Sequence, residues 1–290
     1  MVIDQNGKKY YKVGLHIHSS RSDGDESPER VVQIYKEHGY DAIALTDHWK
    51  VSENGMQDGM LMLAGCEYNN QGHDAVSGVT HILGLGMQYD PQVSREDPRQ
   101  TVVDKIIAAG GLAVLAHPAW SMNTLKDARE LKGIFTTEMY NAVSEAHMSV
   151  RPISDYFVDI CANNGIYYNL LATDDAHYYD GSDECKGWVM VQAEELTHEA
   201  LMQALREGNY YASTGPEMSV TRQGNKLIVD CSPCKYVAAL SNLAWARYRV
   251  LRGDAVTHYE YEFKDNEPWV RIQAMDANGK FAWSNIFMRE

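Results

Sequence analysis

The sequence predicts an α/β fold with a parallel sheet or barrel, followed by a small all-β domain. Strand-length apolar runs alternate with helix-patterned stretches over the first two thirds of the 290 residues, which is the rhythm of repeated β/α units. From about Met218 onward short alternating segments replace that rhythm, and the DANG sequence at 276–279 is a hairpin-turn signal. A hydrophobic content of 44% can fill one large core, or one large and one small. We therefore assign a first domain to residues 1–216 and an all-β domain to residues 217–290.

Eight apolar runs of the first domain are predicted to be strands. They read, in chain order, YKVGLHI, DAIALT, LMLAGCE, THILGLG, LAVLAHP, GIFTTEMY, IYYNLLAT and KGWVMVQA. Two helices have clear end signals. Ser27 is a typical N-cap with Pro28 at the first helical position and Gly39 beyond the end, and Thr197 and Gly208 bound a later helix in the same way.

Composition excludes several classes of protein. The formal net charge of -14, with no run of five Lys or Arg residues, argues against a nucleic-acid partner. No stretch of eighteen apolar residues occurs, so we expect a cytoplasmic protein without a membrane partner. Five scattered cysteines favour reduced thiols, and we interpret Cys231 and Cys234 as part of a turn rather than a zinc or redox site. The sequence leaves the oligomeric state open.

Histidines and acidic residues gather at the ends of the predicted strands. Those that follow a strand are His16, His18, His48, Glu67, His117, Asp175 and His177, and His81 begins the fourth strand. In a β/α barrel the carboxyl ends of the strands meet at one rim, so these side chains would share one pocket. Imidazoles and carboxylates that converge in one pocket are satisfied by a divalent cation. Alternation along a strand also sends His16 and His18 to the same face.

A single buried histidine is more often a hydrogen-bonded core residue than a metal ligand. We give that surface or structural interpretation to His38, His73, His147, His198 and His258, which lie away from the strand ends. The other six histidines are interleaved with acids at strand ends, and together they favour a metal site. Phosphate-cradling and nucleophile-elbow motifs do not occur in the sequence.

The ordered motifs of the chain resemble those of a known family. They are GLHIHSSRSDG, YDAIALTDH, GCEYN, THILGLG, GGLAVLAHPAW and ATDDAH. Over about residues 10–180 they resemble the polymerase and histidinol phosphatase (PHP) superfamily of metal-dependent hydrolases. The remainder, from KGWVMVQA to WSNIF, is similar to the carbaryl-hydrolase-like branch of that superfamily. The resemblance implies a distorted (β/α)7 barrel, similar to a TIM barrel, and hydrolysis, most often of phosphoesters, at two or three divalent metal ions.

The same resemblance implies three groups of metal ligands. The first group is His16, His18, Glu67 and Asp175, the second is a bridging Glu67 with His81 and His117, and the third is Asp23, His48 and His177. Asp23 stands where some members have a histidine, which leaves the occupancy of the third site open. Nitrogen and oxygen ligands without thiolate suit zinc, manganese or iron(II). The short interval between His117 and Asp175 lacks the inserted domain of the nuclease-like branch and disfavours an oligonucleotide.

The implied mechanism assigns catalytic roles to Glu67, Asp175 and His177. Two cations would lower the pKa of water enough to give a hydroxide that attacks phosphorus or a carbonyl carbon. The basic residues near ligand-bearing loops, predicted to contact the substrate, are Arg21, Arg151 and Lys186, while Trp120 and Tyr178 either line the pocket or pack. The leading hypothesis is a phosphoesterase acting on a small soluble molecule. The alternatives are a carbamate, ester or amide hydrolase with the same cluster, and a non-catalytic regulatory protein with structural metals.

Overall fold

The computed structural model describes residues 1–4, 7–69 and 79–290. Its strands are β1 Val2–Ile3, β2 Lys9–Gly14, β3 Ala42–Ala44, β4 Gly55–Gln57, β5 Met60–Leu63, β6 Gly65–Tyr68, β7 Ile82–Leu85, β8 Leu112–Leu115, β9 Thr136–Asn141, β10 Asn169–Thr173, β11 Trp188–Gln192, β12 Tyr210–Ser213, β13 Met218–Gln223, β14 Lys226–Ser241, β15 Val250–Glu262, β16 Trp269–Met275, β17 Phe281–Ser284 and β18 Phe287–Met288. Its helices are α1 Pro28–Glu37, α2 Arg99–Ala108, α3 Pro118–Ser121, α4 Leu125–Glu130, α5 Asp155–Asn163 and α6 His198–Glu207, with a π-helical turn at Ser144–Met148. None of the helices in the described ranges is long and apolar enough to span a membrane.

The predicted helix ends coincide with α1 and α6. The Ser27 hydroxyl accepts a hydrogen bond from the Arg30 amide at 3.3 Å, which satisfies one of the free amides of the first turn of α1. Thr197 caps α6 in the same way, and Gly208 ends that helix in the left-handed conformation at φ 73°. Local sequence chemistry therefore determines these two elements.

The strands of the described residues form two sheets, and their pairing does not close a barrel. One sheet has thirteen strands, with the main order β13-β14-β16-β17-β12-β11-β2-β3-β5-β4, and the other has the order β10-β9-β8-β7-β6. The predicted run LMLAGCE is interrupted at Ala64, so that β5 lies in the larger sheet and β6 in the smaller one. The fold is α/β, and the (β/α)7 closure implied by the resemblance is not confirmed.

Strand β7 departs from the expected parallel arrangement. It pairs antiparallel with β6, with Glu67 opposite Leu83, and antiparallel with β8, with Ile82 opposite Leu115. By contrast β2, β3 and β5 run parallel, as do β8, β9 and β10. Because β7 runs the opposite way, its beginning lies beside the end of β6. The residue that precedes β7, His81, is thereby brought to the rim where the other strands end.

The C-terminal strands continue the larger sheet. Strand β17 pairs with β12, with Ala212 opposite Trp283, and the buried indole of Trp283 packs in the main core. A second core, formed largely by β13 to β16, lies farther along the same sheet. The C-terminal region is therefore rich in sheet, and the division of the chain at residue 216 stays a prediction. Cys231 and Cys234 do not form a turn as expected, because they lie within β14 where its register with β15 shifts.

Candidate metal centre

Pairing between distant segments brings the first candidate residues together. Just beyond β2 and β10, Ile17 forms a parallel bridge with Ala176. The Asp175 amide donates to the His16 carbonyl at 2.8 Å, and the His18 amide donates to the Ala176 carbonyl at 3.0 Å. Two histidines and an aspartate far apart in sequence are thus fixed by backbone hydrogen bonds.

Glu67 lies at the centre of the site, on β6. A parallel bridge joins it to His48, and its side chain is 1% exposed. Oε1 of Glu67 lies 2.7 Å from Nδ1 of His81 and 3.2 Å from Nε2 of His117. The other oxygen, Oε2, faces a different set of rings, at 3.1 Å from Nε2 of His18 and 3.3 Å from Nδ1 of His48. The two oxygens of one carboxylate therefore point to two different groups of imidazoles.

The candidate ligand atoms form three groups, and within each group they lie within 4.8 Å of one another. The groups are His16, His18, Glu67 and Asp175; Glu67, His81 and His117; and His18, Asp23, His48 and His177. All nine residues named from the sequence are brought together, in the three predicted groups. The structure adds His18 to the third group. His73 lies outside the described residues.

The side chains of the first group are buried, and each shifts the pKa of its neighbours. Burial disfavours a charged His16, but Asp175, Glu67 and Glu138 outweigh it and raise the pKa of His16 well above its ordinary value. The pKa of His18 is raised for similar reasons, with burial again opposed by neighbouring carboxylates. For Glu67 and Asp175 burial acts in the opposite direction, yet the adjacent imidazoles hold both pKa values well below the ordinary range. The carboxylates and imidazoles of this group therefore favour one another's charged forms.

Two polar atoms of the site indicate that a cation belongs there. Oδ1 of Asp175 and Nδ1 of His48 are buried and have no hydrogen-bond partner. Oδ1 of Asp175 is 3.0 Å from Nε2 of both His16 and His18, and ligand atoms that surround one ion at about 2.1 Å are themselves about 3.0–3.4 Å apart. Burial and the charge of nearby His18 lower the pKa of His48, which favours the neutral imidazole that a metal requires. The residues present fit a divalent ion.

A cavity of about 120 Å³ opens onto the three groups. Seven of the nine candidate ligands line it, and the others there are Trp120, Val143, Ser144 and Met148. The three basic residues predicted to contact the substrate are not among its described lining residues. Arg21 is exposed and donates to the Val51 carbonyl at 3.3 Å, Arg151 is exposed, and Lys186 is half-buried.

Sequence reasoning missed the acids that hold the candidate ligands. Asp47 accepts hydrogen bonds from the Ser19 amide at 2.7 Å and the Ser22 hydroxyl at 2.9 Å, which fixes the loop that carries Asp23. Asp183 accepts from the His177 amide at 2.7 Å. Asp47 precedes His48 in the motif LTDH, so its position beside a candidate ligand was an available signal.

Glu138 and Asn141 on β9 were missed as well. Glu138 is fully buried and lies 2.6 Å from Nδ1 of His16, while Asn141 donates to Oδ2 of Asp175 at 3.1 Å. A charged residue inside the predicted strand GIFTTEMY, which is otherwise mostly apolar, was the signal for Glu138.

The family model of the PHP domain, which describes the sequences of that family, matches residues 14–213 of the chain. The chain belongs to the PHP domain family. No curated protein matches it. Among solved structures, this PHP protein is similar to a two-domain protein of Bacteroides vulgatus that contains a predicted PHP-like metal-dependent phosphoesterase. The identity is 17%, the match covers 99% of this chain and 97% of that chain, and the TM-score is 0.57.

Two similar structures are of endonuclease Q. One is a complex with a 27-mer duplex substrate that has an abasic lesion at the active site, with 15% identity, 69% of this chain and 58% of that chain covered, and a TM-score of 0.51. The other is the lesion-specific enzyme of Pyrococcus furiosus. The identity is 17%, the match covers 69% of this chain and 56% of that chain, and the TM-score is 0.49. At these identities the likeness concerns the fold.

The endonuclease Q complex with duplex substrate corrects one expectation. The exclusion of nucleic acid from the partners of this PHP protein, drawn from its charge of -14 and from the lack of an inserted domain, is wrong, since a protein of the same fold acts on DNA. The physical reason is that net charge averages over the whole surface, whereas a polynucleotide contacts one face and a metal centre.

Proposed function

We propose that this PHP protein is a metal-dependent phosphoesterase that hydrolyses a small phosphorylated molecule. The observation that carries the proposal is the convergence of nine histidine and carboxylate side chains in three groups linked by Glu67 and His18. Most of these side chains also line one open cavity. Structural metal sites are normally closed, so this opening disfavours a purely structural role for the ions.

Each group would hold one divalent ion, with Glu67 shared between the first and the second. Bound ions supply Lewis acidity, which makes water acidic enough to give a nucleophile near neutral pH. Zinc, manganese and iron(II) all suit these nitrogen and oxygen donors. Membership of the carbaryl-hydrolase-like branch and the (β/α)7 barrel implied by the superfamily resemblance remain part of this proposal.

The side chains proposed as catalytic have distinct tasks. Glu67 would help to hold an ion in each of the first two groups, because its two oxygens face different sets of imidazoles. Asp175 presents Oδ1 to His16 and His18, while its Oδ2 is occupied by Asn141. The ring of His177 donates from Nδ1 to the Asp175 carbonyl at 2.6 Å, which leaves Nε2 as an acceptor on the side of Asp23.

The lining of the cavity limits the part of the substrate that enters it. Trp120, Val143 and Met148 provide an apolar wall, and no Lys or Arg is among the described lining residues. The segment 70–78 contains no Lys or Arg either. Bound ions would therefore supply the positive charge at the reacting group. Arg21, Arg151 and Lys186 remain candidates for contact with a portion of the substrate outside the cavity.

The same feature favours a second candidate function. A carbamate, ester or amide needs no basic side chain to neutralise a phosphate dianion, and an aryl group could pack against Trp120. Hydrolysis at a carbonyl carbon by the same cluster is therefore the alternative.

A substrate panel with metal-reconstituted protein tests the proposal. The panel contains phosphomonoesters, phosphodiesters, aryl carbamates and a DNA duplex with an abasic site, each assayed with zinc, manganese or iron(II). We expect phosphoester turnover that chelator abolishes and that Asp175→Asn reduces strongly. Turnover of carbamates alone would favour the alternative. If protein carrying ions hydrolyses nothing, or if chelator leaves the activity unchanged, the proposed function is wrong.

A further inference from the structure

Glu138 has no assigned role in the proposed site, yet it contacts two of its groups. The residue lies on β9 and its side chain is 0% exposed. Oε1 lies 2.6 Å from Nδ1 of His16. Oε2 accepts hydrogen bonds from the His117 amide and from Nδ2 of Asn141, both at 2.9 Å. Among the described residues no Lys or Arg forms a hydrogen bond or ion pair with this carboxylate, so its burial costs folding free energy.

The contact with His16 determines where that ring carries its hydrogen. A carboxylate at 2.6 Å from Nδ1 accepts a hydrogen bond, so Nδ1 carries the proton. In the neutral ring Nε2 then has a free lone pair, directed towards Asp175 Oδ1 at 3.0 Å and Glu67 Oε2 at 3.3 Å. A histidine that binds metal through one nitrogen is usually held in this way through the other.

We propose that Glu138 is the positioning residue of the metal centre. Its carboxylate holds the His16 ring with Nδ1–H directed to Glu138 and Nε2 directed to the first ion. This inference rests on the proposed function in so far as the centre binds divalent ions. Through its second oxygen Glu138 also holds two other candidate ligands in place.

Those further effects run through the backbone and through Asn141. His117 has a positive φ of 29°, and the hydrogen bond from its amide to Glu138 helps to hold that unusual conformation and so the direction of its ring. Asn141 donates to Glu138 and to Oδ2 of Asp175. One carboxylate therefore orients an imidazole of the first group, an imidazole of the second and, through Asn141, the aspartate of the first group.

The substitution Glu138→Gln separates this role from a merely structural one. Two donors, the His117 amide and Asn141 Nδ2, face the Oε2 position, so the glutamine oxygen is expected to occupy it. The glutamine NH₂ group then faces His16, whose Nδ1 must accept instead of donate. That interaction favours the Nε2–H form of the ring, which cannot bind an ion at Nε2 without losing the new hydrogen bond.

Zinc binding and nitrogen NMR of the histidine rings test the proposal without an activity assay. In zinc-loaded wild-type protein we expect His16 to show Nδ1–H, with a proton resonance shifted downfield by the short hydrogen bond. In Glu138→Gln we expect loss of that signal and zinc affinity about 10–100-fold weaker. The matched control is Glu267→Gln, because Glu267 is also 0% exposed and hydrogen-bonded but belongs to the C-terminal sheet region. The control should lower thermal stability while leaving zinc affinity and the His16 resonance unchanged.

The outcomes distinguish this inference from the proposed function. If wild-type protein binds none of zinc, manganese and iron(II), the proposed function fails. If it binds zinc but His16 lacks Nδ1–H, or if Glu138→Gln binds zinc as tightly as wild type, only the role of Glu138 is overturned. The wild-type spectrum decides by itself should the variant fail to fold.

Discussion

At the scale of single residues, the two oxygens of Glu67 have unequal surroundings. Oε1 contacts His81 and His117, whereas Oε2 contacts rings of the other groups. In the proposed centre a shared carboxylate would influence two ions, while a terminal imidazole such as His177 would influence one. The two kinds of side chain should therefore differ in what their loss does to metal content.

We predict that Glu67→Gln loses metal from the first two groups and lowers kcat/KM on the order of a thousandfold, as for removal of a principal electrostatic group. His177→Asn should keep those two ions and cost less in kcat, with more of the loss in KM. Elemental analysis together with steady-state kinetics checks both variants. Near-normal turnover with both ions retained in Glu67→Gln would contradict the bridging role.

Proton binding at His16 and His18 leads to a second residue-scale prediction. Despite their burial, neighbouring carboxylates raise the pKa of both rings in the metal-free protein, so an incoming ion must displace protons. Zinc affinity should therefore increase as pH rises, and the increase should continue above the ordinary histidine pKa of about 6.5. Calorimetric titrations in two buffers of different ionisation enthalpy measure the protons released. An affinity independent of pH would show that these rings are not protonated beforehand.

At the scale of elements, the loop that follows β2 carries Asp23 and is folded tightly against the backbone. A Cβ atom at Gly24 would lie 2.7 Å from the carbonyl carbon and oxygen of His18 and 2.8 Å from the Ser19 amide nitrogen. Backbone atoms cannot yield as the end of a side chain can. The glycine therefore permits the close approach that brings Asp23 to the third group.

Gly24→Ala should displace this loop and weaken the third group alone. We expect one ion fewer per chain than in wild type and a loss of stability of about 1–3 kcal/mol. Gly253→Ala is the control, because a Cβ there meets only a side-chain methyl of Val256, at 3.1 Å. Metal counting and thermal unfolding compare the two. Unchanged metal content in Gly24→Ala would mean that the loop does not need this contact.

Sequence patterns predicted features that depend on neighbouring residues more fully than features that depend on residues far apart in the chain. A few neighbouring residues are enough to identify the N-cap at Ser27 and the histidines at strand ends. These local patterns predicted α1 and the candidate ligands. The direction of β7 depends on which neighbours it pairs with, and period-two alternation is the same in either direction. Glu138 was not predicted as a site residue because its role depends on contact with His16, which is 122 positions away in the chain.

At the scale of the whole molecule, the C-terminal strands are bound to the PHP domain by one strong ion pair as well as by strand pairing. Arg271 of β16 has its side chain 1% exposed, and its Nε and Nη2 donate to the carboxylate of Asp159 of α5 at 2.7 and 3.0 Å. Since β17 also pairs with β12, the chain should unfold as one cooperative unit.

We predict that Asp159→Asn lowers the free energy of unfolding by about 2 kcal/mol, because it leaves a buried guanidinium without its partner. The partial exposure of Asp159, 31%, keeps the loss below that of a fully buried pair. Calorimetry should still give a single transition. Asp155→Asn, an exposed change on the same helix, should cost less than about 1 kcal/mol. Two separate transitions in wild type would contradict the cooperative unit.

The backbone pairing of segment 16–18 with segment 175–177 also determines when the centre can form during protein synthesis. The ribosome adds about 5–20 residues per second, so the 161 positions from His16 to His177 take roughly 8–30 s to translate. During that interval the first two histidines have left or are leaving the exit tunnel without the aspartate that completes their group. Any ion bound at that stage would therefore be incompletely coordinated and would exchange more readily than an ion in the completed group.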